Sequence, residues 1–492
     1  MNRGLFLNIE FTFEIVKTAE IKNLLLKNLN LNPTQDQYKF IKKMAGFLNN
    51  ESDEQIFILR GYAGTGKTTL VRTLTQSLSK LGMKTVLLAP TGRAAKVLSR
   101  YSNQSASTIH RRIYSQETKN GRDFSFTRAS NQSKRTLFVV DEASMISGAM
   151  QTDGTMYAGS NLLEDLLEYV EAGEDCKLLF LGDVAQLPPV KEKVSPSLSP
   201  KMLKSKYFRG CLFSELKEVL RQQKESGILE NATLQRSRLV NQETKPLLKP
   251  NNTDVINLDG YNLEDELQTA YSGNGMEESI IITRSNKSAN IYNQQIRNRI
   301  LFRESELEVG DLMMVVKNNY FWLDVKSKAG FVANGDVIEV LSVGTVEEKW
   351  SFRFAKCDVR MLDYPQQEPF EVYLNLNTVN SEAPALTREE NEKLYNAVLM
   401  DYPDVRDRKR LFQKIKEDPY FNALQVKFAY AITCHKAQGG QWENVFVDQG
   451  YVNENMLGTE YMRWMYTAIT RATTKLFLIN FKEEFIESGE FD

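Results

Sequence analysis

The chain has 492 residues, 42% hydrophobic and 25% charged, with 62 Lys and Arg against 63 Asp and Glu. That is enough apolar material for roughly three domains at about 150 residues each, with no net positive charge to hold a polyanion by itself. Two histidines, His110 and His435, exclude a multi-histidine metal site, and Cys176, Cys211, Cys357 and Cys434 form no C-x-x-C pair, so spacing suggests neither a zinc knuckle nor a disulfide framework. The opening MNRGLFLNIEFTFEIVKTAE mixes acids into short apolar runs, unlike a signal or transit peptide. No apolar run reaches the roughly 20 residues of a membrane span. The expectation is a soluble, cytoplasmic chain with no membrane partner.

In chain order, QIFILRGYAGTGKTTLVRTLTQSL reads as strand, glycine loop and helix. Its G-x-x-x-x-G-K-T pattern makes Gly61, Ala63, Gly64, Thr65, Gly66, Lys67, Thr68 and Thr69 the candidate nucleotide cradle. Glycines let backbone N–H groups turn toward phosphate oxygens, Lys67 adds positive charge, and the Thr68 hydroxyl is a magnesium ligand. KTVLLAP is a second strand, followed by the turn and helix of TGRAAKVLSR. In YSQETKNGRDFSFTRASNQSKR, Asn120-Gly121 favours a type I′ turn and DFSFT alternates with period two, which predicts a small hairpin; a polar surface loop is the alternative.

RTLFVVDEASM ends a third strand in Asp141 and Glu142, suited to a metal and an attacking water, although paired acids also occur in plain exposed turns. CKLLFLGDVAQLPPV places Asp183 and Gln186 at the end of a fourth strand, where a neutral amide can sense a phosphate; a polar turn is the alternative. A polar stretch follows over about 240–277. Strand-and-helix alternation then resumes with ESIIITRSNKSANIYNQQIRNRI and continues in VKFAYAIT, WENVFVD and KLFLIN, with EYMRWMYTAITRA as a helix. The β-rich segments DLMMVVKNNYFWL and GDVIEVLSV, then charged helical stretches, interrupt it. The expected class is α/β: two P-loop-type units with parallel sheets, the second split by a β-rich insertion.

With these segments in place, the chain resembles the superfamily 1B helicases, in particular the RecD-like and Dda-like DNA helicases, over residues 31–480. LNPTQDQ is similar to the family's Q motif, GYAGTGKTT to motif I, APTGRAAKVL to Ia, STIHRRI to Ib, VVDEASM to II, GDVAQLPPV to III, EVLRQ to IV, AITCHKAQG to V and YTAITRA to VI. The resemblance implies two RecA-like domains that clamp ATP and grip one strand. Domain 1A would cover 31–240, after an N-terminal extension of 1–30 and with a 1B hairpin near 115–135. Domain 2A would cover 241–302 and 426–492, around an SH3-like 2B insertion with a charged helical extension at 303–425.

Carried over by position, Gln35 would read adenine, Lys67 the phosphates, Thr68 and Asp141 magnesium, and Glu142 the hydrolytic water, with Gln186, Arg221 and Arg471 at the γ-phosphate. Pro90, Thr91, Arg93, Thr108 and His110 would meet the strand from the first unit, and Arg284, Ser285, Asn286, Thr433, His435 and Lys436 from the second. A fold-supporting role is the alternative for Arg93 and Arg284, and a core role for either histidine. Lys436 is expected to hold His435 neutral by like-charge repulsion. Phe124 or Phe126 would serve as a strand-separation pin. Gln441 departs from the family, which often has glutamate there for the ribose.

The implied activity is a 5′-to-3′ DNA helicase using ATP and Mg2+, acting on single-stranded and forked DNA as a monomeric motor; nothing in the sequence names a loading partner. An RNA-remodelling ATPase and a nucleotide-switch interaction protein are the competing readings.

Overall fold

The computed structural model describes residues 18–50, 53–119, 123–150, 161–219, 226–324 and 327–487. The chain forms two compact units. The first comprises Met1–Pro90, Val97–Ser115 and Arg128–Leu229; the second comprises Thr91–Lys96, Gln116–Thr127 and Glu230–Asp492.

The strands of the first half are β1 (Ile56–Gly61), β2 (Lys84–Ala89), β3 (Ala106–Thr108), β4 (Tyr114–Lys119), β5 (Asp123–Arg128), β6 (Thr136–Val140), β7 (Lys177–Gly182) and β8 (Leu212–Leu216). Six make one parallel sheet in the order β3-β2-β6-β7-β1-β8. Every residue of β6 and β7 is buried, as the near-continuous apolar runs of TLFVV and KLLFLG require of strands covered on both faces. Phe138, Phe180, Ile58 and Leu88 sit in one core with Leu163, Leu166 and Val170 from the helix Leu162–Glu171. The strands β4 and β5 pair as a two-stranded sheet. Asn120-Gly121, the expected turn, lies outside the described residues.

In the second unit, β9 (Val255–Leu258), β10 (Ser279–Thr283), β16 (Ala431–Thr433), β17 (Trp442–Asp448) and β18 (Ala472–Ile479) form a parallel sheet in the order β16-β10-β17-β18-β9. Strands β11 (Leu312–Val315), β12 (Val337–Lys349), β13 (Phe352–Met361), β14 (Phe370–Asn375) and β15 (Leu424–Phe428) close into a barrel. The helices Arg388–Met400 and Arg408–Lys416 pack on it, with Leu394, Val398 and Ile415 against Phe352 and Phe354.

Two sequence expectations need correction. VKFAYAIT is not one strand of the second α/β sheet: Leu424–Phe428 belongs to the barrel, and only Ala431–Thr433 joins the sheet. Asn293 marks the break. Its Oδ1 accepts from the N–H groups of Tyr430 and Ala431 (3.1 and 2.8 Å), and its Nδ2 donates to the carbonyls of Phe428 and Ala431 (3.2 and 2.9 Å). A mostly apolar run with no glycine or proline in it carries no sign of such a transfer between sheets. The polar stretch near 240–277 also holds β9, which pairs with β18, and the helix Leu263–Gly273.

Candidate nucleotide and strand-binding sites

The loop after β1 turns through Gly64 (φ 73°) and Gly66 (φ 86°) into the helix Lys67–Lys80. Both angles are left-handed and favour glycine. At Gly61 an added Cβ would stand 2.8 Å from Thr65 Oγ1 and 3.0 Å from Lys67 Cγ, so the loop closes only around a bare backbone. Lys67 Nζ donates to the carbonyls of Gly61 and Tyr62 (2.5 and 3.0 Å), and Thr65 Oγ1 donates to the Tyr62 carbonyl (2.8 Å). Thr68, one residue on, is exposed at the helix start.

Asp141 and Glu142 follow β6, with Glu142 held at φ 50°, a strained left-handed turn for a residue with a side chain. Asp141 Oδ1 accepts from the Glu142 N–H (2.9 Å), and its Oδ2 accepts from the Tyr101 hydroxyl. Burial, then the Asp141 charge, pushes the Tyr101 phenol well above its ordinary value, so Tyr101 is the donor. Sequence reasoning missed Tyr101, because nothing in AAKVLSRYS signals a partner 40 residues away. Magnesium with a triphosphate fits this set: a hydroxyl, a carboxylate and inward N–H groups are hard oxygen ligands and anion donors. Among the described residues no cluster of three His, Cys, Asp or Glu could hold a metal unaided, so phosphate and water would complete the shell around Thr68 and Asp141.

Gln35 is exposed at the first turn of the helix Gln35–Leu48. Gln37 is the glutamine buried against the loop: its side chain donates to the Thr65 carbonyl (3.0 Å) and accepts from the Thr34 N–H (3.1 Å) in a capping box. The T-x-x-Q spacing was the available signal. Beyond β7, Gln186 and Asp183 are buried, and Asp183 Oδ1 accepts from the Ala185 N–H (2.9 Å). Arg221 lies outside the described residues.

Arg471, in the second unit, is 3% exposed. Its guanidinium donates to the carbonyls of Thr467 (3.0 Å) and Gly440 (3.2 Å) and to Thr470 Oγ1 (3.1 Å), so motif VI is tied to the glycine that directly follows motif V.

The two histidine segments have the same local geometry. Each follows a three-residue strand at the edge of its sheet, β3 or β16. Thr108 (φ −70°, ψ 152°) and Thr433 (φ −74°, ψ 151°) each cap the short helix that carries the histidine two residues later. Thr108 Oγ1 accepts from the Arg111 N–H (3.2 Å), whereas the Thr433 side chain makes no cap bond.

Their environments differ. Burial pushes His110 down to about 4, and its ring lies 5.8 Å from that of Tyr114. His435 keeps an exposed face; desolvation of the part of its ring that lies against the protein lowers its imidazole, and Glu460 opposes the shift. The expected like-charge effect of Lys436 on His435 is thus replaced by burial. Lys436 itself is pushed down to about 8 by burial and then by Lys427, and its Nζ donates to Asn334 Oδ1 (2.6 Å).

Other expected strand contacts are engaged within the protein. Arg93 lies 4.0 Å over the Trp442 ring, and its NH2 reaches the Gln441 carbonyl (3.5 Å). Arg284 lies over Tyr461 (5.1 Å) and Trp464 (5.9 Å). Asn286 Nδ2 donates to the Glu382 carbonyl (3.1 Å), and Ser285 caps the helix Asn286–Gln295 by accepting from the Ser288 N–H. Thr91 Oγ1 accepts from the Ala94 N–H (3.2 Å), and Pro90 precedes it, partly exposed. Gln441 is exposed. Phe124 and Phe126 lie in β5.

Comparison with known proteins agrees with this arrangement. A family model described as an AAA domain matches residues 33–244, and one described as a UvrD-like helicase C-terminal domain matches 428–479. An uncharacterized protein of Acanthamoeba polyphaga mimivirus is 24% identical over 88% of this chain and 97% of its own length. The ATP-dependent DNA helicase Dda of Enterobacteria phage T4 is 23% identical over 79% of this chain and 86% of its own. The ATP-dependent RecD2 DNA helicase of Deinococcus radiodurans is 31% identical over 30% of this chain, which spans 18% of that longer protein. The chain thus carries a segment matching an AAA domain and one matching a UvrD-like helicase C-terminal domain, and over most of its length it is similar to DNA helicases of the RecD and Dda type.

Proposed function

We propose that the chain is a helicase that moves 5′ to 3′ on single-stranded DNA and opens duplexes at forks, driven by hydrolysis of magnesium-bound ATP. The observation that supports its ATP-driven part is the glycine loop with Lys67 closed onto its own carbonyls, in the same unit as the Asp141-Glu142 pair; the DNA substrate and the polarity rest on the resemblance to the RecD and Dda helicases. In this reading Lys67 exchanges those carbonyls for phosphate oxygens. Thr68 and Asp141 hold the metal, which neutralises phosphate charge when bound. Glu142 orients water for in-line attack, and Gln186, Arg221 and Arg471 stabilise the charge that develops. Gln35 contacts the base.

On the strand side, Thr108, His110, Thr433, His435 and Lys436 are assigned to successive phosphates, a reading supported by two strand-to-helix turns that carry a threonine and a histidine at matching positions; Thr108, buried with its Oγ1 capping the turn, would act through the placement of His110. Pro90, Thr91, Arg93, Arg284 and Asn286 support or extend those contacts. The two-stranded sheet β4-β5 is proposed as the pin.

ATP turnover measured with single-stranded DNA and with RNA tests the assignment. Strong stimulation by DNA, weak stimulation by RNA, and a fall in turnover of roughly a thousandfold in Lys67→Ala are expected. Equal or greater stimulation by RNA would redirect the proposal to an RNA-remodelling motor, and turnover indifferent to any strand would make the protein a nucleotide switch.

A further inference from the structure

We propose that Tyr101 is a positioning residue for the metal-binding carboxylate, and that it ties the state of the motif Ia helix to metal affinity at the nucleotide site. The proposal rests on the assignment of Asp141 as a magnesium ligand made above.

The helix Gly92–Ser102 begins with motif Ia and places Tyr101 in its last turn. It is fixed at both ends. Thr91 Oγ1 accepts from the Ala94 N–H (3.2 Å) at the start, and Asn103 (φ 56°) ends it with its N–H donating to the Ser99 carbonyl (3.1 Å). Eleven residues at about 1.5 Å each make a short, stiff rod of roughly 16 Å. A displacement at Thr91 and Arg93 is therefore carried to Tyr101.

At that far end the Tyr101 hydroxyl donates to Asp141 Oδ2 while the Glu142 N–H holds Oδ1. Both carboxylate oxygens have a donor that fixes the plane of the group, and each retains a lone pair for a metal or a metal-bound water. A hydrogen-bond donor of this kind orients a ligand and typically sets metal affinity by about 10–100-fold. The hydroxyl comes from a different part of the chain than the ligand it orients, and its helix carries the segment assigned to the strand.

The experiment is a titration of the full chain with Mn2+, read by electron paramagnetic resonance of the free ion at saturating ADP, with and without an oligothymidylate. The parent is compared with Tyr101→Phe, which removes only the hydroxyl. The expected result is roughly tenfold weaker Mn2+ binding in the variant, with metal-free ADP affinity and strand affinity unchanged. Oligothymidylate should shift Mn2+ affinity in the parent and not in the variant. In an Asp141→Asn background the tyrosine change should add nothing.

Parent-like or tighter Mn2+ binding in Tyr101→Phe would overturn the positioning role, and so would a further tenfold weakening in the Asp141→Asn background. A strand effect that survives in the variant would overturn the coupling. Absence of any strand-stimulated ATPase in the parent would instead remove the helicase reading, while the ADP and Mn2+ arm would still decide what Tyr101 does.

Discussion

The Arg93 guanidinium lies 4.0 Å over the ring of Trp442, and its buried Nε has no hydrogen-bond partner among the described residues. The same ring covers Gly440, where an added Cβ would stand 2.4 Å from Trp442 and 3.0 Å from Arg93 Nε, and the Gly440 carbonyl receives the Arg471 guanidinium. The glycine turn directly after motif V is thus pressed between two arginines that the family resemblance assigns to strand and nucleotide. A desolvated stack of this kind contributes about 2 kcal/mol. A double-mutant cycle of Arg93→Ala and Trp442→Ala, followed by denaturant unfolding, should give a coupling of about 1–2 kcal/mol. Arg93→Lys should recover little of it, because an ammonium lacks the flat face. Strictly additive destabilisation would show that the stack contributes nothing.

His110 sets a pH dependence of stability. Burial holds its imidazole at about 4, against about 6.5 in the unfolded chain. Between those values the unfolded state binds a proton that the folded state does not, so stability is complete above about 6.5 and falls as pH drops toward 4. The residue keeps part of its surface exposed, so about 3 kcal/mol is a ceiling on the change. Urea midpoints at pH 5 and pH 7 should differ less in His110→Gln than in the parent. An identical difference in both would assign the acid sensitivity elsewhere.

How much of this was legible in the sequence differs by element. The glycine loop, the acidic pair and the run TLFVV declare themselves because phosphate binding and two-sided burial each demand a local pattern. Gln37 was missed in favour of Gln35, although its capping spacing from Thr34 was a local signal. The Tyr101–Asp141 bond, the Arg93–Trp442 stack and the transfer at Tyr430 were not, because each joins segments far apart in the chain and leaves no local period. The strand β9 was missed because VINL is only four residues long within polar surroundings.

Lys436 should make strand binding fall at alkaline pH. Burial and Lys427 bring its ammonium to about 8, and Lys427, whose Nζ donates to the Thr378 carbonyl (3.1 Å), is brought to about 8 by burial. Lys436 is charged below that value and neutral above it. From pH 7 to pH 9 the salt dependence of strand binding should flatten by about 0.7 in log–log slope for each phosphate that the protein ceases to neutralise. Lys436→Arg, which keeps its charge, should hold the pH 7 slope at pH 9. The same flattening in both proteins would remove Lys436 from the strand site.

The two-stranded sheet β4-β5 should matter for unwinding and not for turnover. Replacing Lys119–Phe126 with a short Gly-Ser linker is expected to leave strand-stimulated ATPase within about twofold of the parent while unwinding drops at least roughly tenfold, since a base stacked on an aromatic pin accounts for about 1–3 kcal/mol. Fork unwinding and ATPase measured on one preparation check this. Parental unwinding would mean that strands part elsewhere.

The assignment as a strand-tracking motor stands or falls on unwinding of a duplex carrying a single-stranded tail at either its 5′ or its 3′ end, with Mg2+ and ATP, beside Lys67→Ala as the inactive control. The proposed function predicts rapid strand release from the 5′-tailed substrate, little from the 3′-tailed one and none with the variant. Release from the 3′-tailed substrate alone would contradict the polarity. Failure to separate either duplex while strand-stimulated ATP turnover proceeds would contradict the helicase assignment itself.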